Sequence, residues 1–238
     1  MKTKLLPALI LFVLMFALTG AVLADDGFTF ELTEAFNFSE KADNWSIEIS
    51  VPQVSGMASE VEQDELNAHF LKTKDEMIAE YEQNVEFAKQ SIEEGGEPHF
   101  GYKYFWEAVT DSDDYFVFRT TWFLAAGSST SLNEYWNLDK KTGKLLDFDI
   151  DAVTSLEQMA AIREQIFAKM KEVTESGEGM YWTDDDSLDI ALGQVRYLNH
   201  WYYNEDGDLV ITFDKYEIAP GAMGSPEFVI SAEPAAAG

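Results

Sequence analysis

The sequence contains no cysteine, so no disulfide can hold the fold, no thiolate can act as a nucleophile and no lipid can be attached at a lipobox thiol. Stability has to come from packing. Histidine is scarce too: His69, His99 and His200 lie far apart, without the close pair of a zinc-protease helix. Cations are few, with 16 Lys and Arg against 44 Asp and Glu and a formal net charge of −28. Nucleic-acid phosphates and anionic lipid surfaces repel such a chain, which excludes both as partners unless the scattered cations build a patch. No Gly-x-Ser-x-Gly elbow and no glycine-rich phosphate loop is present, so a serine hydrolase or a nucleotide enzyme has no support. What is abundant is apolar: 46% hydrophobic and 14% aromatic residues suffice for a sizeable core and rule out an acidic disordered tail.

The first residues read as a leader. Lys2 and Lys4 precede an apolar stretch from Leu5 to Leu18, and small residues from Thr19 to Ala24 run into the acidic pair Asp25 and Asp26. This predicts a secretory signal peptide over residues 1–24, cut after Ala24; the alternative is an uncleaved anchor, since the apolar run is long for a leader. Cleavage removes two lysines, leaving 214 residues and taking the charge from −28 to −30. Past Ala24 no run is long and apolar enough to span a bilayer, and no linker or internal repeat divides the chain.

Periodicity then sets the elements. A Phe-rich strand is expected over Phe28 to Phe38, and a clearer one over Trp45 to Val51, where Trp45, Ile47, Ile49 and Val51 alternate with polar residues until Pro52 stops them. Leu66, Phe70, Met77, Tyr81, Val85, Ala88 and Ile92 follow helical spacing, ended by Gly95, Gly96 and Pro98. Aromatic strands over Gly101 to Thr110 and Tyr115 to Ala125 flank a turn at Asp111 to Asp114. Two further strands, Leu132 to Leu138 and Leu145 to Ile150, are joined through Asp139 to Gly143 and complete an antiparallel meander. A second helix starts at Ser155, with capping-box spacing to Gln158, and runs through Met159, Ile162, Ile166, Met170 and Val173 to Gly177. Thr183 to Ser187 reads as an acidic loop, Trp201 to Leu209 as a hairpin turn, and Leu209 to Phe213 and Glu227 to Ile230 as closing strands. The expected class is α+β, a mainly antiparallel sheet packed with one long and one shorter helix. Its parts, 25–150 and 151–238, are expected to form one compact unit.

Three segments carry a resemblance. Asp206 to Pro220 (DGDLVITFDKYEIAP) with Gly224 to Ile230 (GSPEFVI), Ile49 to Gly56 (ISVPQVSG) and Tyr135 to Lys144 (YWNLDKKTGK) together resemble the RsiV-like extracytoplasmic domain family. That family of unknown function includes a lysozyme-sensing anti-sigma factor. The likeness implies a packed scaffold in which Tyr216, Ile218, Ala219, Pro220 and Gly224 act as fold determinants. In the strand, Leu209, Ile211 and Phe213 are expected to face a core, with Thr212 and Asp214 facing away. Two departures accompany it. Only Met1 to Lys4 precede the apolar run, where the anti-sigma type has a cytoplasmic sigma-binding segment, and Ala126 to Thr130 stands where relatives often carry a Gly-Gly-Ala-His loop. Nor is a polysaccharide deacetylase domain attached, as it is in some relatives.

No residue emerges as catalytic, metal-ligating or ligand-binding, and no cofactor is expected; calcium is the one metal that oxygen-only ligands here would suit, at Asp147, Asp149 and Asp151 or at Asp184 to Asp186, and neither run matches an EF-hand loop. Alternation across Asp147 to Asp151 reads first as a strand with a solvated face. Trp106, Trp122, Trp136, Trp182 and Trp201 can stack on sugar rings, although aromatics in short strands are more often core and cross-strand pairs. The expectation is therefore a secreted or periplasmic, non-catalytic module of the cell envelope that recognises a basic lysozyme-type protein. The alternatives are a protein that binds or processes peptidoglycan glycan through an unlocated carboxylate pair, and a structural or calcium-stabilised envelope protein.

Overall fold

A computed structural model describes residues 27–183 and 185–231, apart from the side chain of Asp185. The predicted leader, its cleavage point after Ala24, and Asp184 lie outside the described residues.

Strand β1 (Glu31–Lys41) pairs antiparallel with β2 (Trp45–Ser55), and helix α1 (Glu60–Glu93) then crosses to β3 (Phe100–Asp111), which lies parallel to β2. From β3 the chain meanders antiparallel through β4 (Tyr115–Ala126), β5 (Ser128–Asp139) and the short β6 (Lys144–Leu145). Six strands thus lie in sequence order in one curled sheet. The side chain of Ser59 caps α1 by accepting from the Glu62 amide, and Leu66, Phe70, Met77, Tyr81, Val85 and Ala88 bury its inner stripe against the sheet, as the spacing predicts. Ile92, the last apolar residue of that pattern, stays 43% exposed because the helix ends one residue later.

Pro52 does not stop β2. The strand pairs with β3 only from Trp45 to Ile49, so no β3 residue asks for a donor at Pro52, and the register with β1 slips opposite Pro52, between Glu34 and Phe36. The expected strand over Leu145 to Ile150 is also corrected. It ends at Leu145, and Phe148–Ala152 forms a single π turn. Asp147 accepts from the amides of Asp149 and Ile150 while Asp151 Oδ2 accepts from the Asp147 amide at 2.8 Å, so the alternating aspartates close a turn that buries Phe148 and exposes Ile150.

Helix α2 (Leu156–Ser176) begins at the predicted cap, where Ser155 Oγ accepts from the Gln158 amide, and ends at Gly177 in the left-handed conformation, φ 76°. Where a loop was expected over Thr183 to Ser187, helix α3 (Asp185–Gln194) has already begun. It buries Leu188, Ala191 and Leu192, with Val195 just beyond. Strands β7 (Trp201–Tyr203), β8 (Leu209–Thr212) and β9 (Glu227–Ile230) make a second antiparallel sheet with β8 in the centre.

Two apolar clusters result. One lies between α1 and the six-stranded sheet; the other joins α2, α3 and the second sheet through Ile162, Ile166, Met170, Leu188, Trp201, Ile211 and Phe213. Strand β5 stands between them, giving Trp136 and Leu138 to the first cluster and turning Asn133, Tyr135 and Asn137 toward the second sheet. The class is α+β. This layering corrects the faces expected for the closing strand: Thr212 and Asp214 are buried as fully as Ile211 and Phe213, because β8 is covered on both sides. No helix among the described residues is long and apolar enough to cross a membrane.

Candidate functional site

The polar chemistry of the molecule concentrates where β5 meets the second sheet. Asn137 Nδ2 donates to the Trp201 carbonyl and its Oδ1 accepts from the Tyr203 amide, both at 3.0 Å, so one side chain substitutes for a ladder between sheets. Tyr135 stacks on Tyr202 at 4.7 Å, and their hydroxyls donate to the two oxygens of Glu227. Arg119 donates to the Tyr135 hydroxyl and forms an ion pair with Glu107. Deeper in the junction, Asp214 Oδ1 accepts from the Asn133 amide at 3.2 Å and from its Nδ2 at 2.9 Å, and Thr121 donates to Asn133 Oδ1.

His200 closes this network. Its Nε2 lies 3.3 Å from Asp214 Oδ2, and its Nδ1 lies 3.5 Å from Glu217 Oε2, an ion-pair approach without a hydrogen bond. Glu217 is itself anchored by the Asp214 amide at 2.7 Å. Burial alone would lower the imidazole pKa; the two carboxylates outweigh it and hold the ring charged, with a pKa of about 9. The carboxylates sit against opposite edges of the ring, an arrangement suited to an imidazolium and not to a shared metal ion. Among the described residues no group of three His, Asp or Glu is placed to hold a metal. With its side chain 2% exposed, His200 is closed to any substrate. Sequence reasoning treated it as one of three isolated histidines; only the pairing of Trp201 with Ile211 brings it beside Asp214. His99 is exposed, and His69 lies 3.9 Å from Glu134 with its ring 5.1 Å from that of Trp136.

Open concavities lie elsewhere. A groove of about 580 Å³ runs between the π turn, α2 and α3, with Phe148, Val153 and Leu192 in its lining. Two of the three arginines flank it, Arg163 paired with Asp189 at 2.6 Å and Arg196 with Asp149 at 2.9 Å. Leu156 on its rim is 91% exposed. At the far end of the larger sheet, the β1–β2 turn, the α1–β3 loop and the β4–β5 tip converge, because β2 and β3 start where β1 and β4 end. Lys215 clasps that tip by donating to the Ser129 carbonyl at 2.8 Å. The segment from Ala126 to Thr130 is thus tied to the C-terminal part.

Residues 150–233 match the family described as "Protein of unknown function (DUF3298)". That segment, about a third of the chain, is similar to the DUF3298 family. It contains α2, α3, the second sheet and the whole His200 cluster, whereas α1 and the larger sheet precede it. Over 196 residues the chain is 29% identical to Anti-sigma-V factor RsiV of Bacillus subtilis (strain 168), covering 80% of this chain and 64% of that protein's length. Two solved DUF3298 structures share the fold across both parts. One, from Bacteroides fragilis NCTC 9343, gives a TM-score of 0.53 at 15% identity and covers 86% of this chain and 91% of its own. The other, from Pseudomonas aeruginosa PAO1, gives 0.51 at 14% identity, with 87% and 91% covered.

The DUF3298 segment also shows what its characteristic residues do. Ile218 and Ala219 are fully buried, and Tyr216 adopts φ 78°, an uncommon conformation for a residue with a side chain. A Cβ on Gly221 would come within 2.4 Å of the Tyr216 ring, so the turn after Pro220 accepts only glycine there without moving that ring. The tryptophans serve mostly as core: Trp136 and Trp201 are buried, Trp122 packs against Tyr102, and Trp106 donates to Ser50 Oγ at 3.0 Å. Trp182 remains 36% exposed.

Proposed function

We propose that this chain is an exported, non-catalytic binding module of the cell envelope whose ligand is a basic, lysozyme-type protein. The observation that carries the reading is the similarity to an anti-sigma factor over 80% of the chain, on segments that in the resembling family belong to a lysozyme receptor. Charge supports it. Helix α1 bears ten acidic and three basic residues, and Lys72, Lys74 and Lys89 each pair with a carboxylate close by in sequence, so the surplus is negative and faces water. Such a surface steers a cationic partner and raises the association rate, while shape and polar contacts set specificity. Export follows from the leader read in residues 1–24, whose removal exposes Asp25.

The experiment is titration calorimetry of the mature domain with hen lysozyme and with cytochrome c as a basic control. It is run at ~0.15 M salt, where exposed charges more than ~8 Å apart are largely screened, and again at raised salt. Saturable lysozyme binding that outlasts cytochrome c binding is the expected result. Equal binding to both proteins, or none at physiological salt, overturns the reading.

A further inference from the structure

We infer that the recess between the C-terminal half of α1, the start of β3 and the end of β4 receives one lysine or arginine side chain of a basic partner protein. The inference rests on the basic-partner reading and gives it a place and a chemistry. The recess measures about 400 Å³; Phe87, Phe100 and Leu124 form apolar walls, with Tyr102, Asn84 and Glu80 as the polar groups. Its polar part is pre-organised. The Tyr102 hydroxyl, on a residue only 1% exposed, donates to Glu80 Oε1 at 2.8 Å and accepts from Asn84 Nδ2 at 2.5 Å. One carboxylate oxygen is therefore fixed, and Glu80 Oε2 is left to accept from a ligand.

The chemistry selects the occupant. No Lys or Arg lines the recess, and among the described residues none pairs with Glu80. An anion would meet the carboxylate, and a wholly apolar group would bury that charge without a partner. A long cationic side chain satisfies both halves, since its methylene stem covers the apolar walls and its head makes charge-assisted hydrogen bonds to Glu80. The Phe87 ring, 56% exposed beside the opening, offers a face for a cation–π contact.

The test compares Glu80→Gln with Glu86→Gln, an identical change of charge on the same helix at a residue paired with Lys89 and outside the recess. Gln at 80 can still accept from Tyr102, so the fold is kept, and thermal melts check this. Lysozyme affinity is expected to fall about tenfold or more in Glu80→Gln and to stay within about twofold in Glu86→Gln. Equal losses in both variants, or none in Glu80→Gln, overturn the pocket while leaving the basic-partner reading intact. A second arm titrates Nα-acetyl-arginine amide while following the Asn84 side-chain amide by NMR. Should lysozyme fail to bind, a saturable Asn84 shift that is absent from Glu80→Gln upholds the pocket and rejects only lysozyme. No shift in that case overturns it, and a shift with tri-N-acetylchitotriose in place of the arginine probe assigns the recess to glycan instead.

Discussion

His200 should make the stability of this protein depend on pH in a window that no other group described above controls. The imidazole is fully enclosed, with Asp214 and Glu217 against its two nitrogens, and its pKa is about 9 in the folded chain. In the unfolded chain it reverts to roughly 6.5. The folded value is the higher one, so the folded state holds the proton more tightly. The stabilisation is complete below pH ~6.5 and is lost as pH rises through ~9. At about 1.4 kcal/mol per pH unit, a rise from 6.5 to about 9 amounts to about 3 kcal/mol, a large fraction of the stability of a domain this size. The many carboxylates of the unfolded chain raise the reference value somewhat, so the figure is an upper estimate and should be approached at high ionic strength. Urea unfolding followed by tryptophan fluorescence reports directly, because Trp201 is the next residue and is buried. Wild type should lose stability between pH ~6.5 and ~9, whereas His200→Gln should be nearly flat there and less stable at the acid end. Buried tyrosines such as Tyr104 and Tyr135, whose pKa values burial raises, lose their contribution only above pH ~10 and leave that window clear. A flat wild-type profile, or one that His200→Gln reproduces, would refute the assignment of a buried imidazolium.

Four other outcomes are expected. Phe213→Ala, which removes a fully buried ring packed against Phe228, should cost about 3 to 5 kcal/mol in a denaturant melt. Thr212→Ala, at a residue 3% exposed on the opposite face, should cost about 1 kcal/mol through the buried methyl group it removes, not the negligible loss expected of an exposed threonine. Asn137→Ala leaves the Trp201 carbonyl and the Tyr203 amide unpaired inside the junction and should cost on the order of 3 kcal/mol; a loss under about 0.5 kcal/mol would show that water replaces the side chain. Mass spectrometry of the exported protein should find Asp25 as the first residue, and a chain that begins at Met1 would establish the anchor alternative.

Elements governed by local rules were readable from the sequence, and those decided by distant neighbours were not. Helix α2 shows the first case: Ser155 caps it and the left-handed Gly177 ends it, both signalled within a few residues. Helix α3 was equally local and was missed, since Leu188, Ala191, Leu192 and Val195 have helical spacing that the preceding aspartates obscured. Asp147 to Asp151 shows the limit of alternation as a signal. A strand with one wet face and a turn closed by aspartate side chains place the same residue types in the same order, and only the hydrogen bonds to the Asp149 and Ile150 amides separate them. Pro52 failed as a stop for the opposite reason, because its missing donor falls where β2 has no β3 neighbour, a fact of sheet topology.

The same distinction governs the sites. Leu209 to Phe213 alternates apolar and polar residues, which fits a strand with one buried face; Thr212 and Asp214 are buried because a second layer, β5, arrives from 81 residues upstream and offers Asn133 to Asp214. Polar residues at alternate positions therefore carried two meanings, solvent or a polar interface between sheets, and nothing local distinguishes them. The resemblance marked this stretch as characteristic without giving a reason. The structure supplies one: the closing motif contributes Asp214 and Glu217 to His200, and places between them Tyr216, whose ring lies against Gly221. Conversely, the recess at Glu80 and Asn84 was hidden because both sit on α1 as ordinary polar residues among ten acids. They become a site only when the parallel crossover from β2 to β3 brings Tyr102 beneath them. In this chain the strongest motif thus builds the scaffold, while the candidate contact for a ligand lies in sequence that carries no motif at all.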